Sequence, residues 1–262
     1  MKATPAENLG VDHSPWLFFG TTPHGVRCLL LLTFFPLLLV PPLSILAARL
    51  PDDLRPSVTA WTFVILWLPL LLWAIRRAGI RPAWPLWRPI VPSLLLLVAI
   101  GLACTWLTAP LLRASGLDPE TLARSQGAYE LLAAMPGHPL LHAANLLLVI
   151  VLAPLGEELY FRGALQGALT QLLGPRAAIL LQALAFALLH APLSTVGLPM
   201  LLIGLILGHL ARRHGLATSY VLHLLYNLLH QLRDRLFVVD TKRGMCEDRG
   251  VDRKERPCEG NE

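Results

Sequence analysis

Between Pro139 and Leu232 the chain is almost wholly apolar, and the Asp, Glu, Lys or Arg residues away from its short loops are Glu157, Glu158 and Arg162, within APLGEELYFRG. A charge inside a membrane helix costs about 2.5–3.5 kcal/mol on insertion scales, so such a group marks function or an ion pair that locks helices together. At 3.6 residues per turn the adjacent glutamates face different ways, and Glu158 lies one turn from Arg162 at i, i+4. That spacing pairs Glu158 with Arg162 and leaves Glu157 on a neighbouring face with Phe161 and Ala164, without a local cation. Two further i, i+4 pairs follow: Phe186 with His190 in AFALLH, and His223 with Asn227 in LHLLYN. Each histidine alone fits a satisfied core residue as well as a catalyst. Together, one free carboxylate, two imidazoles and a carboxamide on three helices form a set that can activate water and stabilise an oxyanion.

The elements that must carry these groups read as membrane helices. Of 262 residues, 55% are hydrophobic and 15% charged, with a mean hydropathy of +0.57, well beyond a soluble domain. A spanning helix needs roughly 20 mostly apolar residues. Seven windows qualify: Cys28–Ala48, Val58–Ile75, Pro89–Leu112, Pro139–Leu155, Ala177–His190, Leu198–Ala211 and Leu216–Leu232. The expected fold class is therefore all-α, a multipass bundle of roughly seven to eight spans. Continuous apolar runs exclude a barrel, whose strands alternate. Prolines inside them are tolerated because lipid offers the backbone no other hydrogen-bond partner.

The expected organisation is a polar N-terminal tail (1–25), N-terminal spans with a polar connector (26–138), a catalytic membrane core (139–233) and a charged, mobile C-terminal tail (234–262). The connector LDPETLARSQGAYELLAAM suits a short interfacial helix. The first apolar run is too long for a signal peptide and is read as a retained span. The four cysteines form no CxxC or finger spacing, and Cys258 is not in a prenylation box. A net charge of +5 carried by arginines in IRRAGIRPAWPLWR and ARRHG points to cytoplasmic loops rather than nucleic acid. Composition gives no oligomeric state.

EELYFR, FALLH and HLLYN, in that order, resemble the EExxxR, FxxxH and HxxxN signatures of the CAAX prenyl endopeptidase and bacteriocin-processing family, the Abi or type II CAAX proteases. The resemblance covers roughly Pro139 to Leu232. It implies an intramembrane endopeptidase in which Glu157 is the general base, His190 helps hold the attacking water, and His223 with Asn227 stabilises the oxyanion. Glu158, Arg162 and Phe186 are then supporting residues. The implied setting is the bacterial cytoplasmic membrane, with a peptide or prenylated protein as substrate.

The family has been described both as zinc-dependent and as metal-free. Glu157, His190 and His223 would be the zinc ligands. Using Glu157 as a ligand removes the one candidate base, however, and HExxH is absent, so a metal-free reaction without cofactor is favoured. Two rivals are a metal-ion transporter and a non-catalytic immunity or scaffold protein. The first needs a polar path, yet the first three spans contain no ionisable residue; the second predicts loss of site residues, yet all are present.

Overall fold

The computed structural model describes residues 35, 38–39, 41–43, 45–52, 54–77, 85–116, 139–190 and 197–248. Every regular element among them is helical: α1 (Arg55–Arg77), α2 (Ile90–Ala114), α3 (Pro139–Leu173), α4 (Pro175–His190), α5 (Gly197–His214) and α6 (Leu216–Asp248). The all-α expectation holds. Two of these helices are long and apolar enough to cross a membrane, Arg55–Ala74 and Pro139–Leu173, while Ile90–Cys104 and Pro175–His190 are shorter apolar stretches. Among the described residues two of the seven or eight expected spans are seen at full length. At 1.5 Å per residue α4, with 16 residues, is about 24 Å long, short of a roughly 30 Å hydrocarbon core. The window Cys28–Ala48 and the connector with its expected interfacial helix lie largely outside the described residues.

Two boundaries differ from the sequence reading. The fourth window does not stop at Leu155: α3 runs on through the charged trio to Leu173, because burial and pairing of Glu158 and Arg162 remove the reason for a helix end there. The last helix does not stop at Leu232 but continues to Asp248, into the segment expected to be a mobile charged tail. Its mixed charges do not oppose helix, since Lys, Arg and Glu are good helix formers.

α3 is not a uniform α-helix. Residues Leu148–Leu152 and Glu158–Leu165 adopt the wider π form, with an α-helical stretch Ala153–Glu157 between them. Pro154 decides which carbonyl the first widening leaves free. In π register the Ala153 N–H bonds to the Leu148 carbonyl, and the next donor in line for Val149 would be Pro154, which has no N–H. α6 takes up that carbonyl, Asn227 Nδ2 donating to Val149 O at 3.1 Å, and its Tyr220 hydroxyl donates to Val151 O at 3.3 Å.

Glycines with positive φ, Gly174 (80°) and Gly215 (89°), stand as single residues between α3 and α4 and between α5 and α6, so each pair folds back as a tight helical hairpin. α4 and α5 pack closely along a seam of small residues. A Cβ on Gly204 would sit 2.9 Å from the Ala183 Cα, and one on Gly208 would overlap Gln182 Nε2. The close approach lets Gln182 Nε2 reach Gly204 O and Gln166 Nε2 reach Gly208 O, both at 2.9 Å. Phe186, Leu207, Leu222, Leu71 and Leu97 bring five helices into one core, while leucines such as Leu140 (87% exposed) and Leu172 (73%) face outward as an apolar exterior.

Gly204→Ala should therefore lower thermal stability in detergent by about 1–3 kcal/mol through overpacking. Gly101→Ala, whose Cβ would meet only the Tyr226 hydroxyl at an ordinary 3.5 Å, should be neutral or slightly stabilising. Equal melting temperatures for the two variants would contradict the close seam.

Candidate active site

Three helices deliver the site. Glu157, Glu158 and Arg162 come from α3, Phe186 and His190 from the last turn of α4, and His223 and Asn227 from α6. The adjacent glutamates diverge as their spacing implies. Glu158 is fully buried, and its carboxylate meets three groups: Arg162 Nη1 at 2.9 Å, His223 Nδ1 at 3.0 Å and the Ser219 hydroxyl at 2.5 Å. Ser219 Oγ also lies 3.0 Å from Leu207 O, so one hydroxyl links α3, α5 and α6.

Arg162 is as deeply buried as its partner. Besides the ion pair, its guanidinium lies 4.6 Å over the Phe186 ring, a desolvated cation–π contact. Phe186 is also stacked on the His190 ring at 4.1 Å and meets Phe161 edge-on at 5.2 Å. This one phenylalanine holds both the arginine and the histidine in place.

Glu157 occupies a different environment. Its Oε1 lies 3.5 Å from His190 Nε2 and its Oε2 3.7 Å from His223 Nε2, so the carboxylate lies between two imidazoles. The side chains of Glu157 and His190 retain 24% and 33% exposure, against none for Glu158 and Arg162. The site therefore opens at the Glu157–His190 end. The other ring nitrogens are fixed: His190 Nδ1 lies 2.7 Å from Phe186 O, and a carbonyl only accepts, so Nδ1 carries the proton. His223 Nδ1 likewise faces a carboxylate. Both rings are thereby oriented with Nε2 towards Glu157.

Asn227 uses one amide N–H on Val149 O, which leaves its second N–H available. It stands one turn after His223, as Ser219 stands one turn before it. Sequence reasoning missed Ser219, although continuing the i, i+4 stripe of α6 one step back would have found it. It also missed α1, which packs beside Glu157 across a cavity. Of the other histidines, His230 accepts from the Arg233 guanidinium at 3.0 Å in an exposed setting.

Glu157, His190 and His223 carry the donor atoms that would hold a zinc ion, with His190 Nε2 3.5 Å from Oε1 and His223 Nε2 3.7 Å from Oε2 of the carboxylate between them. Among the described residues no group of three or more His, Cys, Asp or Glu side chains is gathered as a metal site.

Residues 139–229 match the family model described as type II CAAX prenyl endopeptidase Rce1-like. That segment is similar to the type II CAAX proteases. The match takes in all three motifs and about a third of the chain. No curated protein and no solved structure matches the sequence. The matched segment comprises α3 to the middle of α6, whereas α1 and α2 lie outside it.

The two glutamates should separate by stability. Glu158→Gln leaves Arg162 without its counter-charge and should cost about 3–5 kcal/mol, seen as a melting temperature several degrees lower. Glu157→Gln, at a partly open position, should melt close to wild type. The reverse order would show that the structural and reactive roles are misassigned.

Proposed function

We propose that the protein is a multipass intramembrane endopeptidase of the bacterial cytoplasmic membrane that hydrolyses a peptide bond by glutamate-activated water. The supporting observation is the Glu157 carboxylate flanked by His190 Nε2 and His223 Nε2 at the open end of the site, beside a second glutamate whose charge is already matched by Arg162. The CAAX protease match of residues 139–229 supports the same reaction class. The substrate is a peptide or protein at the membrane, whose bilayer the apolar exterior meets, and no nucleic acid is involved.

In this reading water sits between Glu157 and His190. Glu157 takes one of its protons as the water oxygen attacks the carbonyl carbon. The Asn227 N–H not used on Val149, together with His223 Nε2, steadies the oxygen that becomes negative. Glu158, at His223 Nδ1, fixes the orientation of that ring. When the C–N bond breaks, the proton held by Glu157 passes to the leaving amine, and the free carboxylate is restored. His190 positions the water through Nε2 because Phe186 O holds its Nδ1–H.

Glu157→Gln keeps the shape but removes the base, and peptide cleavage by purified protein should fall by about 10²–10⁴-fold. Protein stripped with a chelator should keep its activity and carry well under one zinc per chain. Activity lost on chelation and restored by stoichiometric zinc would overturn the metal-free mechanism, and full activity of Glu157→Gln would overturn the catalytic assignment.

A further inference from the structure

Against the face of α3 that carries Glu157 lies a cavity of about 240 Å³. Ala60, Val64 and Trp67 of α1 form one wall, and Leu152, Gly156 and Glu157 of α3 form the other. Glu157 is the one ionisable residue of the lining. The position of Trp67 is tightly defined. A Cβ on Gly156 would lie 2.8 Å from the Trp67 ring edge, so the indole lies directly on the α3 backbone because residue 156 is glycine. Phe63 stacks on the same ring at 5.4 Å, and Tyr160 approaches it at 5.9 Å.

The geometry points to a specificity subsite: this cavity receives an unmodified apolar side chain of the substrate residue next to the scissile bond, and Ala60, Val64 and Trp67 of α1 set the size it accepts. The inference rests on the endopeptidase reading. Its first ground is continuity, since the residue that activates the water is itself part of the cavity wall, and a peptide held for attack at Glu157 places a neighbouring side chain there. Its second ground is polarity, since an apolar lining rejects a charged or amide side chain for lack of hydrogen-bond partners. Its third is size. An apolar cavity of roughly 150 Å³ takes a benzene ring, so this one suits a side chain from leucine to phenylalanine. The selecting wall comes from α1, outside the segment that matches the protease family.

The test is a randomised peptide pool digested by purified full-length protein, with cleavage sites read by mass spectrometry, beside a matched pool containing S-prenylated cysteine. Wild type should cut unmodified peptides with Leu, Met or Phe enriched about tenfold or more over Asp, Asn and Gly at one position adjacent to the cut. Ala60→Phe, which fills the cavity, should move that preference to Ala and Val while cutting at the smaller residues continues. Val64→Ala, which enlarges it and leaves the helix intact, should move the preference towards Trp and carries the test alone if Ala60→Phe does not fold. A flat profile, a profile unchanged in both variants because lipid fills the cavity, or cleavage confined to prenylated peptides would overturn the inference and leave the endopeptidase reading standing. No cleavage of either pool by wild type would overturn both.

Discussion

A fully buried carboxylate facing a fully buried guanidinium is the constraint around which the rest is arranged. Neither Glu158 nor Arg162 has access to water, so each must find its partners inside the protein. Those partners dictate helix positions. His223 must come from α6, Ser219 must sit one turn earlier on the same helix, and Phe186 of α4 must cover the guanidinium. Once these are in place, His223 Nε2 is aimed at Glu157, whose carboxylate acquires its neighbours because Glu158 has claimed the other ring nitrogen.

Pro154 sets a second, local constraint. In the π register of this stretch its missing N–H leaves the Val149 carbonyl for Asn227. The carboxamide is thereby anchored by one proton with the other spare. A continuous α-helix would satisfy its own carbonyls and leave Asn227 without an anchor. The irregular stretch 148–165 is therefore part of what orients the site, in keeping with the frequent occurrence of π segments at functional positions.

Much of this was legible in the residues. Helical class followed from continuous apolar runs, and the pairing of Glu158 with Arg162 followed from the i, i+4 spacing, which the 2.9 Å ion pair matches. The three-helix origin of the site followed from its motifs. What stayed hidden had no periodic signature. Ser219 looks like any serine in an apolar helix until its carboxylate partner is placed. Trp67 reads as an interfacial anchor because nothing local reports that it lies on Gly156, far along the chain. The full length of α3 was masked by its charges, which suggest a helix end unless their burial is known. The run of α6 to Asp248 was masked by a composition that suits both solvated helix and coil.

The seam between α4 and α5 has a consequence for movement. Backbones that meet at glycine, with Gln182 bonded across the gap to Gly204 O and Gln166 of α3 bonded to Gly208 O, cannot slide without breaking several contacts at once, so this pair of helices forms a firm wall. On the opposite side of Glu157, α1 lays Trp67 on Gly156 beside the cavity, and polar ties between the two helices lie further along, where Asn145 bonds Ser57 at 2.7 Å and Trp61 at 3.2 Å. The two flanks of the carboxylate are thus held by different means, glycine-to-backbone contact with hydrogen bonds on one and ring packing around a void on the other.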